Sequence, residues 1–485
     1  MARCRGSNLC LPFFHVEEPS SLDTLGILSF DAVKTMCRLI SLYKSLTDIE
    51  IHKLRRHIIK SKGVSHLNSH DECFLLNLAC AERLEDLNLA AIAVSRLGSR
   101  CSDKSLTHFE AVYAQIKNGA VDLKKLEFGT RNVEKIIERM EKLVYATRNL
   151  HNAMESLSEV EVSEKKIQKW KTMKANNGLK VKVEDFNDRI VFHRRQVQYY
   201  KQISLWNISF DKVVGLMAQI ICLVYARISF VFGSLITGCN NNNNNNNDAK
   251  VKGVFRMKME NRCCRIQHSE LYKINLCIFD KDEKKKNHFG HVLKSNRMGV
   301  IRFHNHSPVL AMASCGVGEV AAKNNSVFRL APPTTVGGVG LSQRYANVIL
   351  FTERIVHASA AIGDDARKLL YEMLPERLKV KLRGKLRKMR LKWEETSDEE
   401  EEGEEEWTTS ERRGAAEEVM NWLAPLAHDT LKWQAERNLE KQKFETKPTV
   451  LLMQTLHYSN LEKVDEAIVD VLVGLSCAYW NQKQW

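Results

Sequence analysis

The sequence predicts an all-α protein built from multi-helix bundle domains, and three observations lead to that prediction. Only 8 prolines and 23 glycines interrupt 485 residues, so long helices form more easily than many short strands joined by tight turns. Apolar residues recur at helical spacing, as at Leu39, Leu42 and Leu46. The chain is 44% hydrophobic, which is enough for the cores of several domains.

Residues 1–22 are predicted to form a flexible leader, and residues 23–120 an N-terminal helical domain. Within that domain the helical spacing of apolar residues continues to about Phe109 and indicates several amphipathic helices. Gly63 and Gly98 follow two of these patterns, where glycine commonly ends a helix. We therefore expect two helices to end near these glycines.

Residues 121–238 are predicted to form a long helical hairpin followed by an apolar helix. The first helix carries a heptad seam, in which steps of four and three residues alternate. The seam consists of Ile136, Met140, Leu143, Thr147, Leu150, Met154 and Leu157. A break at residues 176–178 precedes a second helical run from Val183 to Trp206, which predicts an antiparallel, coiled-coil-like hairpin. The alternative is an oligomer that pairs two chains through the seam at residues 133–157.

The apolar run from Val213 to Leu235 is long enough to cross a membrane, but it is predicted to be a buried core helix. About ten strongly apolar residues at roughly −0.3 to −0.6 kcal/mol each favour insertion, whereas Arg227 opposes it by about 3 kcal/mol. Gln219 and Ser229 oppose it further. The net free energy of insertion is near zero, so burial inside the protein is the better interpretation.

Residues 239–330 are predicted to be a mostly disordered insert of low complexity. Consecutive asparagines, Asn240–Asn247, open it, and a tract of this kind does not build a packed core. The string Gly316–Ala321 matches the pattern GxGxxA of dinucleotide-binding turns. No acidic residue follows between Glu319 and Glu353 to hold a ribose, so no cofactor is predicted here.

Residues 331–485 are predicted to form a C-terminal helical domain with an acidic loop at residues 394–406. Asp364 or Asp365 is expected to cap one helix, because a carboxylate accepts hydrogen bonds from the free amides of a first turn. Pro375 is expected to open the next helix, where its missing N–H does no harm. The predicted helices are Leu341–Ala360, Ala366–Leu374, Glu376–Trp393, Ala415–Asn438 and Thr449–Trp480.

The helix Glu376–Trp393 carries the predicted interaction surface. Its apolar residues form one stripe, and basic residues surround that stripe. The basic residues are Arg377, Lys379, Lys381, Arg383, Lys385, Arg387, Lys388, Arg390 and Lys392. Such a helix can lie on an anionic membrane, fill a groove in a partner protein or serve as a nuclear address. The alternative is that the apolar stripe packs into the protein's own core and the cations are solvated.

The acidic run that follows this helix contains a candidate phosphorylation site, Ser397. Oppositely charged segments joined so closely stay within a Debye length of roughly 8–10 Å, so the run can fold back and compete with outside anions. A phosphate on Ser397 would strengthen that shielding. The alternative is an inert acidic linker.

No catalytic, metal or cofactor site is predicted from the motifs. The sequence contains no Walker A loop, HExxH helix, GxSxG elbow, kinase signature or EF-hand loop. Its 13 cysteines include no CxxC pair, which favours reduced thiols in the cytosol or nucleus over disulfides or a zinc ribbon. We therefore predict a protein that is not an enzyme.

The charge and the first residues bear on partners and location. A net charge of +14 favours acidic partners, namely acidic proteins, an anionic membrane surface or nucleic acid. The apolar patch Leu9–Phe14 is too short for a signal peptide, and Ala2 stands where N-myristoylation requires glycine. The protein is therefore expected to act inside the cell without this lipid anchor.

Particular strings add what periodicity cannot supply. They are Gly26–Asp31, Arg96–Cys101, Ser204–Val214, Tyr225–Ile228, Gly337–Ile349, Asp365–Pro375 and Leu451–Leu456. Together they resemble the two uncharacterised domains, N-terminal and C-terminal, of the plant phytosulfokine-simulator family. The residues between 239 and 297 depart from that family's usual linker and are either a genuine insert or a retained intron.

The resemblance implies a regulator of plant growth that acts in peptide-hormone signalling. It implies association with the nucleus or with the cytoplasmic face of the plasma membrane, and no established enzymatic activity. The partners expected on this basis are other signalling proteins. The molecular step that such a regulator performs does not follow from the resemblance.

Overall fold

The computed structural model of the protein is all-α in its described residues, as predicted. The described ranges are 24–118, 130–173, 184–242, 326–358, 363–396, 409–437 and 444–483. Extended contacts within them are two isolated bridges, Thr24–Ser209 and Thr335–Asn460. The predicted leader, the candidate phosphosite Ser397 and all but the edges of the predicted insert lie outside the described residues.

Fourteen α-helices make up the described fold, nine before the predicted insert and five after it. The first nine are α1 (Ser29–Ser45), α2 (Asp48–Lys53), α3 (Lys62–Leu67), α4 (Glu72–Gly98), α5 (Lys104–Thr107), α6 (Phe109–Lys117), α7 (Arg131–Met173), α8 (Glu184–Ile203) and α9 (Phe210–Asn242). The last five are α10 (Ser342–Val356), α11 (Asp364–Met373), α12 (Glu376–Thr396), α13 (Thr409–Arg437) and α14 (Leu461–Lys483).

The first core forms around α4, which packs against α1 and α9. Asp71 starts α4 by accepting a hydrogen bond from the amide of Cys73 at 2.8 Å. The helix ends at Gly98 as predicted, at a point where the carbonyl group of Leu106 leaves no room for a side chain. Gly63 was predicted to end a helix, but it lies in the first turn of α3 instead.

The apolar helix α9 is buried in this core, as predicted. By length and composition the stretch Phe210–Gly233 could cross a membrane, yet 78% of its most apolar window is buried inside the protein. Arg227, the one charged residue between Val213 and Gly233, donates a hydrogen bond from Nε to the carbonyl oxygen of Leu46 at 3.0 Å and forms an ion pair with Asp48. The protein therefore buries most of the apolar surface of α9 and provides partners for its arginine.

Helices α7 and α8 form an antiparallel hairpin. Arg194 pairs with Glu161 at 3.1 Å, and further along the hairpin the backbone amide of Leu205 donates to Oγ1 of Thr147 at 3.1 Å. From the first contact to the second, the residue number falls along α7 and rises along α8, so the two helices are antiparallel. Much of the heptad seam is buried within the chain, because α1 packs against α7 beside α8. The seam residue Met140, for example, is fully buried.

A second core lies between α10, α13 and α14, with α12 packed on α14. Tyr345, Leu423 and Val464 are fully buried at its centre. Helix α3, from the other end of the chain, contributes Leu67 to this core. In return the first core includes Trp433 at the end of α13, so the N-terminal and C-terminal helices interlock.

The predicted capping of α11 is wrong. Gly363 occupies the N-cap position and no side chain caps the helix there, while Asp364 and Asp365 lie in the first turn. Carboxylates in that position still interact favourably with the positive end of the helix dipole. The prediction failed because a first-turn acid and an N-cap acid differ by only one residue in sequence.

The predicted helix Thr449–Trp480 is also wrong in its first part. Two 3₁₀ turns, Leu452–Gln454 and Leu456–Tyr458, come first, and α14 begins at Leu461. The side chain of Thr455 accepts a hydrogen bond from the amide of His457 at 3.1 Å. Local bonds of this kind compete with the helical pattern and hold the segment in short turns.

The edges of the predicted disordered insert are ordered. Helix α9 runs to Asn242, and a 3₁₀ turn forms at Val327–Leu330. The ring of Phe328 in that turn stacks with two rings, that of His457 at a centroid distance of 3.9 Å and that of Trp433 at 5.2 Å. The imidazole of His457 donates from Nε2 to the carbonyl oxygen of Phe328 at 2.7 Å, and burial lowers the pKa of this histidine. A neutral ring thus joins the turn to the core.

Gly63 lies where α3 and α13 approach each other closely, and Gly384 in α12 serves as a control. Alanine at Gly63 would place its Cβ 2.6 Å from the carbonyl oxygen of Trp422, whereas alanine at Gly384 in α12 meets nothing within 4 Å. We expect Gly63→Ala to lower the free energy of unfolding by about 1–3 kcal/mol. Gly384→Ala should raise it by about 0.5–1 kcal/mol, since alanine favours a helix. Urea unfolding of both variants checks this, and equal effects would contradict the close approach.

Candidate interaction surfaces

The apolar stripe of the basic helix α12 packs into the protein's own core. Leu378 and Leu382 are buried and Leu386 is half-buried against the second core. The helix begins at Glu376, directly after Pro375, as the sequence predicted. The buried part of the stripe is therefore structural and unavailable to a partner. The charged residues of the helix, with the exposed Val380 and Leu391, remain accessible.

Several of the predicted basic residues are held by acids of the same chain. Arg377 and Lys381 both pair with Asp465 and Glu462 of α14, with Lys381 at 2.8 Å from Asp465. Lys385 pairs with Asp470 of the same helix. These contacts attach α12 to α14. They also partly neutralise the positive charge of the predicted interaction surface.

Two further basic residues of α12 pair within the helix itself. Arg383 lies 2.7 Å from Glu376 and Lys379 lies 3.9 Å from the same carboxylate. The ammonium group of Lys379 also lies over the ring of Tyr371 at 5.3 Å. Exposed pairs of this kind contribute little to stability, but they lower the net positive charge of this face.

Asp465 is the centre of the α12–α14 contact. Its carboxylate is completely buried, yet it accepts hydrogen bonds from Arg377, Lys381 and the hydroxyl group of Tyr345, the last at 2.5 Å. Burial beside this carboxylate raises the pKa of the Tyr345 phenol, so the tyrosine remains a donor. A buried carboxylate requires such partners, because desolvation of an unpaired charge is costly.

The open part of the basic surface is the C-terminal half of α12. Arg387 and Lys388 are exposed there, and neither has an ion-pair partner among the described residues. Arg390 is also exposed. The side chain of Lys392 and the residue Ser397 lie outside the described residues. The predicted surface of nine cations is thus reduced to a short cluster at one end of the helix.

A buried ionic cluster, which we call the latch, joins α4 to α13. Glu82 accepts hydrogen bonds from Nε1 of Trp433 at 2.8 Å, from Arg437 at 3.0 Å and from the amide of Leu452 at 2.7 Å. Arg437 also pairs with Asp86 at 3.2 Å and lies over the ring of Trp433. The latch therefore connects residues from both ends of the chain.

The latch was not predicted from the sequence, although a signal was present. Glu82, Arg83 and Asp86 stand in the middle of an otherwise strongly apolar helix. Charges in the interior of a helix that is apolar on all sides are rarely left unpaired. That pattern could have indicated buried ion pairs, but it could not have identified Arg437 as the partner.

An exposed aromatic stripe lies along α8. It consists of Phe192, Tyr199 and Ile203, which share one face because they lie seven and four residues apart. Phe192 and Tyr199 are each 57% exposed, and Tyr145 of α7 is exposed nearby. Large aromatic side chains on one helix face are typical of a protein-binding surface. The stripe was not predicted from the sequence.

The described residues show no group of histidine, cysteine and acidic side chains that could hold a metal ion. Three thiols, those of Cys37, Cys80 and Cys222, are buried, and burial raises the pKa of each to about 12. Thiols of this kind carry almost no thiolate near neutral pH and react slowly. They serve as core residues.

The fold defines an all-α protein in which two helical cores interlock. Two family models match it: "Domain of unknown function (DUF3475)" at residues 27–83 and "Protein of unknown function (DUF668)" at residues 335–432. The first covers α1 to α4 as far as the latch, and the second covers α10 to α13. No solved structure matches the chain.

Three curated proteins of Arabidopsis thaliana are similar to the chain. It is 21% identical to Protein PSK SIMULATOR 1 over 93% of this chain and 55% of that protein, and 21% identical to Protein PSK SIMULATOR 3 over 93% and 56%. It is 27% identical to Protein PSK SIMULATOR 2 over 29% of this chain and 23% of that protein. The resemblance to the plant phytosulfokine-simulator family is therefore confirmed, and the chain spans about half the length of the first two relatives.

The buried carboxylate of Asp465 should matter far more than the exposed one of Asp470. Asp465→Asn keeps the shape but removes the charge that Arg377 and Lys381 share, so we expect a loss of about 2–3 kcal/mol in the free energy of unfolding. Asp470→Asn removes an exposed pair with Lys385 and should cost at most about 1 kcal/mol. Urea denaturation measures both values. Similar losses for the two variants would show that α12 is not held through Asp465.

Proposed function

We propose that this chain is a non-enzymatic intracellular regulator of plant growth, acting as an adaptor or scaffold in phytosulfokine-type peptide-hormone signalling. The similarity to the PSK SIMULATOR proteins over 93% of the chain supports the signalling context. The exposed aromatic stripe on α8 carries the adaptor role. The nucleus and the cytoplasmic face of the plasma membrane are the proposed sites of action, and signalling proteins are the proposed partners.

The stripe suits an adaptor because it faces away from the rest of the fold. The opposite side of α8 packs on α7, where Ile190 is buried. The packing of the hairpin therefore does not require the stripe. Aromatic side chains dominate the binding energy of many protein interfaces, since each removes a large apolar area from water at a small entropic cost. The two packed helices of the hairpin thus hold an exposed hydrophobic face in place.

The basic residue Arg195 gives this face a positive charge. It is exposed on α8 three residues after Phe192, whereas Arg194 turns toward α7 and pairs with Glu161. A partner that carries acidic residues around an apolar centre would match the arrangement, because charge at the rim steers association and selects the partner. We therefore propose an acidic, helical or extended protein segment as the bound element.

Affinity capture from plant cell extract tests the adaptor role. The full chain should recover specific signalling proteins, and the double variant Phe192→Ser, Tyr199→Ser should lose them, with affinity reduced at least tenfold when a recovered partner is purified and titrated. Such a loss corresponds to removing an interface anchor worth roughly 1.4 kcal/mol or more. Tyr371→Ser, which removes an exposed aromatic residue elsewhere, serves as the control. No specific partner with the intact chain, or full retention by the double variant, would count against the proposal.

The alternative is a peripheral anionic-membrane or nucleic-acid binder that works through the basic helix at residues 376–393. The open cluster of Arg387, Lys388 and Arg390 favours it, because these cations are exposed. Binding of this kind weakens with added salt, since it depends on charge. The ion pairs of Arg377, Lys381 and Lys385 leave it less charge than the sequence suggests.

Binding to phosphatidylserine vesicles and to duplex DNA at low salt tests this alternative. Arg387→Gln, Lys388→Gln should weaken binding about thirtyfold, because each of the two cations near an anionic surface contributes roughly 1 kcal/mol. Lys379→Gln, Arg383→Gln removes the same charge from cations that already pair with Glu376, so it is the matched control. If neither surface is bound by the intact chain, or if both double variants behave alike, the open cluster is not a binding site.

A further inference from the structure

A basic surface with exposed apolar side chains lies on the segment between α1 and α3. Helix α2 continues directly into a π-helical turn, Leu54–Ile58, in which the amide of Ile59 donates a hydrogen bond to the carbonyl oxygen of Leu54 at 3.0 Å. Leu54 and Ile59 are buried in the first core. The segment is therefore fixed to the protein by its apolar side, and its other side faces water.

The side that faces water carries Ile49, Arg56 and Lys60. These residues lie seven and four positions apart, so a helical backbone places them on one side of the segment, away from Leu54. All three are exposed, and Ile49 is 80% exposed. The core does not account for an isoleucine in this position, because Leu54 and Ile59 already attach the segment.

A second apolar side chain extends this side of the segment. Phe230 of α9 is 72% exposed. Arg227, one helical turn earlier, lies over the ring of Phe230 at 5.9 Å and also pairs with Asp48, the residue before Ile49. Its guanidinium group thus places the ring beside the first turn of α2. Two large apolar side chains therefore stand at one end of the surface, and the cations follow toward the other end.

Arg56 and Lys60 give the surface an excess of positive charge. Neither has a carboxylate within 4.0 Å among the described residues. The acids near this segment are paired with other cations. These pairs are Asp48 with Arg227, Glu50 with Lys53 at 3.7 Å, Glu72 with Arg55 at 3.3 Å and Glu418 with Lys62 at 2.8 Å.

We propose that this surface docks on an anionic lipid membrane. The side chains of Ile49 and Phe230 enter the boundary between headgroups and acyl chains, where their apolar area leaves water. Arg56 and Lys60 lie against the headgroups, because cations are attracted to an anionic leaflet. Nucleic acid or an acidic peptide would use the cations alone, whereas side chains that project from a helix, rather than line a groove, fit a fluid lipid layer.

The surface goes beyond the proposed adaptor role. It lies on α2 and α9, so it involves neither the aromatic stripe of α8 nor the open cluster at the end of α12. Failure of the membrane contact would leave the adaptor role untouched, since affinity capture tests a different face. If both hold, the chain can present its aromatic stripe to partners while it rests on a membrane.

Sedimentation of the full chain with lipid vesicles tests the proposal. We expect binding to vesicles of phosphatidylcholine and phosphatidylserine in equal parts, and much weaker binding to phosphatidylcholine alone. Arg56→Gln, Lys60→Gln should lower the affinity for the mixed vesicles about thirtyfold, because two cations are lost from the membrane contact. Ile49→Ser should lower it about tenfold, because most of the apolar area that enters the lipid is removed.

The matched controls lie on α7, where Lys165, Lys166 and Val162 are exposed. Lys165→Gln, Lys166→Gln and, separately, Val162→Ser should leave the affinity unchanged. Circular dichroism verifies that each variant keeps its helices, and Phe230→Ser replaces Ile49→Ser if that variant does not fold. The proposal is overturned if the intact chain does not bind the mixed vesicles, or if either folded test variant binds as tightly as its control. Loss with the charge variant alone would identify a general polyanion site instead of a membrane surface.

Discussion

The carboxylate of Glu82 fixes how the two ends of this chain meet. It is buried, and it accepts hydrogen bonds from an indole, a guanidinium group and a backbone amide that all lie more than 350 residues away in sequence. Because an unpaired buried charge is so costly, these three partners must be in place together. The position of α13 and of the turn at Leu452 relative to α4 follows from this one group.

The latch also explains the features around it. It brings Trp433 to the place where Phe328 stacks, so the turn at Val327–Leu330 becomes ordered. Arg83, the neighbour of Glu82 on α4, is buried beside the latch and donates a hydrogen bond to Oγ1 of Thr449 at 2.9 Å.

Asp465 plays a comparable part within the second core. By taking Arg377 and Lys381, it changes the N-terminal half of a basic amphipathic helix from a surface into a structural element. Only the end of α12 keeps open cations, whereas the hairpin of α7 and α8 keeps an open apolar face. The proposed adaptor role rests on that face, and the similarity to the PSK SIMULATOR proteins gives the signalling context.

The sequence by itself determined what depends on neighbouring residues. Helical periodicity predicted the all-α fold, the pairing of α7 with α8 and the start of α12 after Pro375, because these features arise from patterns a few residues long. The apolar run of α9 predicted a core helix through its length and its single arginine. The family strings were equally local, and they identified both domains.

Only the tertiary structure decided which charges are buried and with which partner. The pairs of Glu82 with Arg437 and of Arg377 with Asp465 join residues far apart in sequence, and no periodicity encodes such a choice. The short turns before α14 likewise depend on side chains that bond locally once the surrounding core excludes water. Periodicity reports which face of a helix is apolar, whereas pairing depends on what packs against that face.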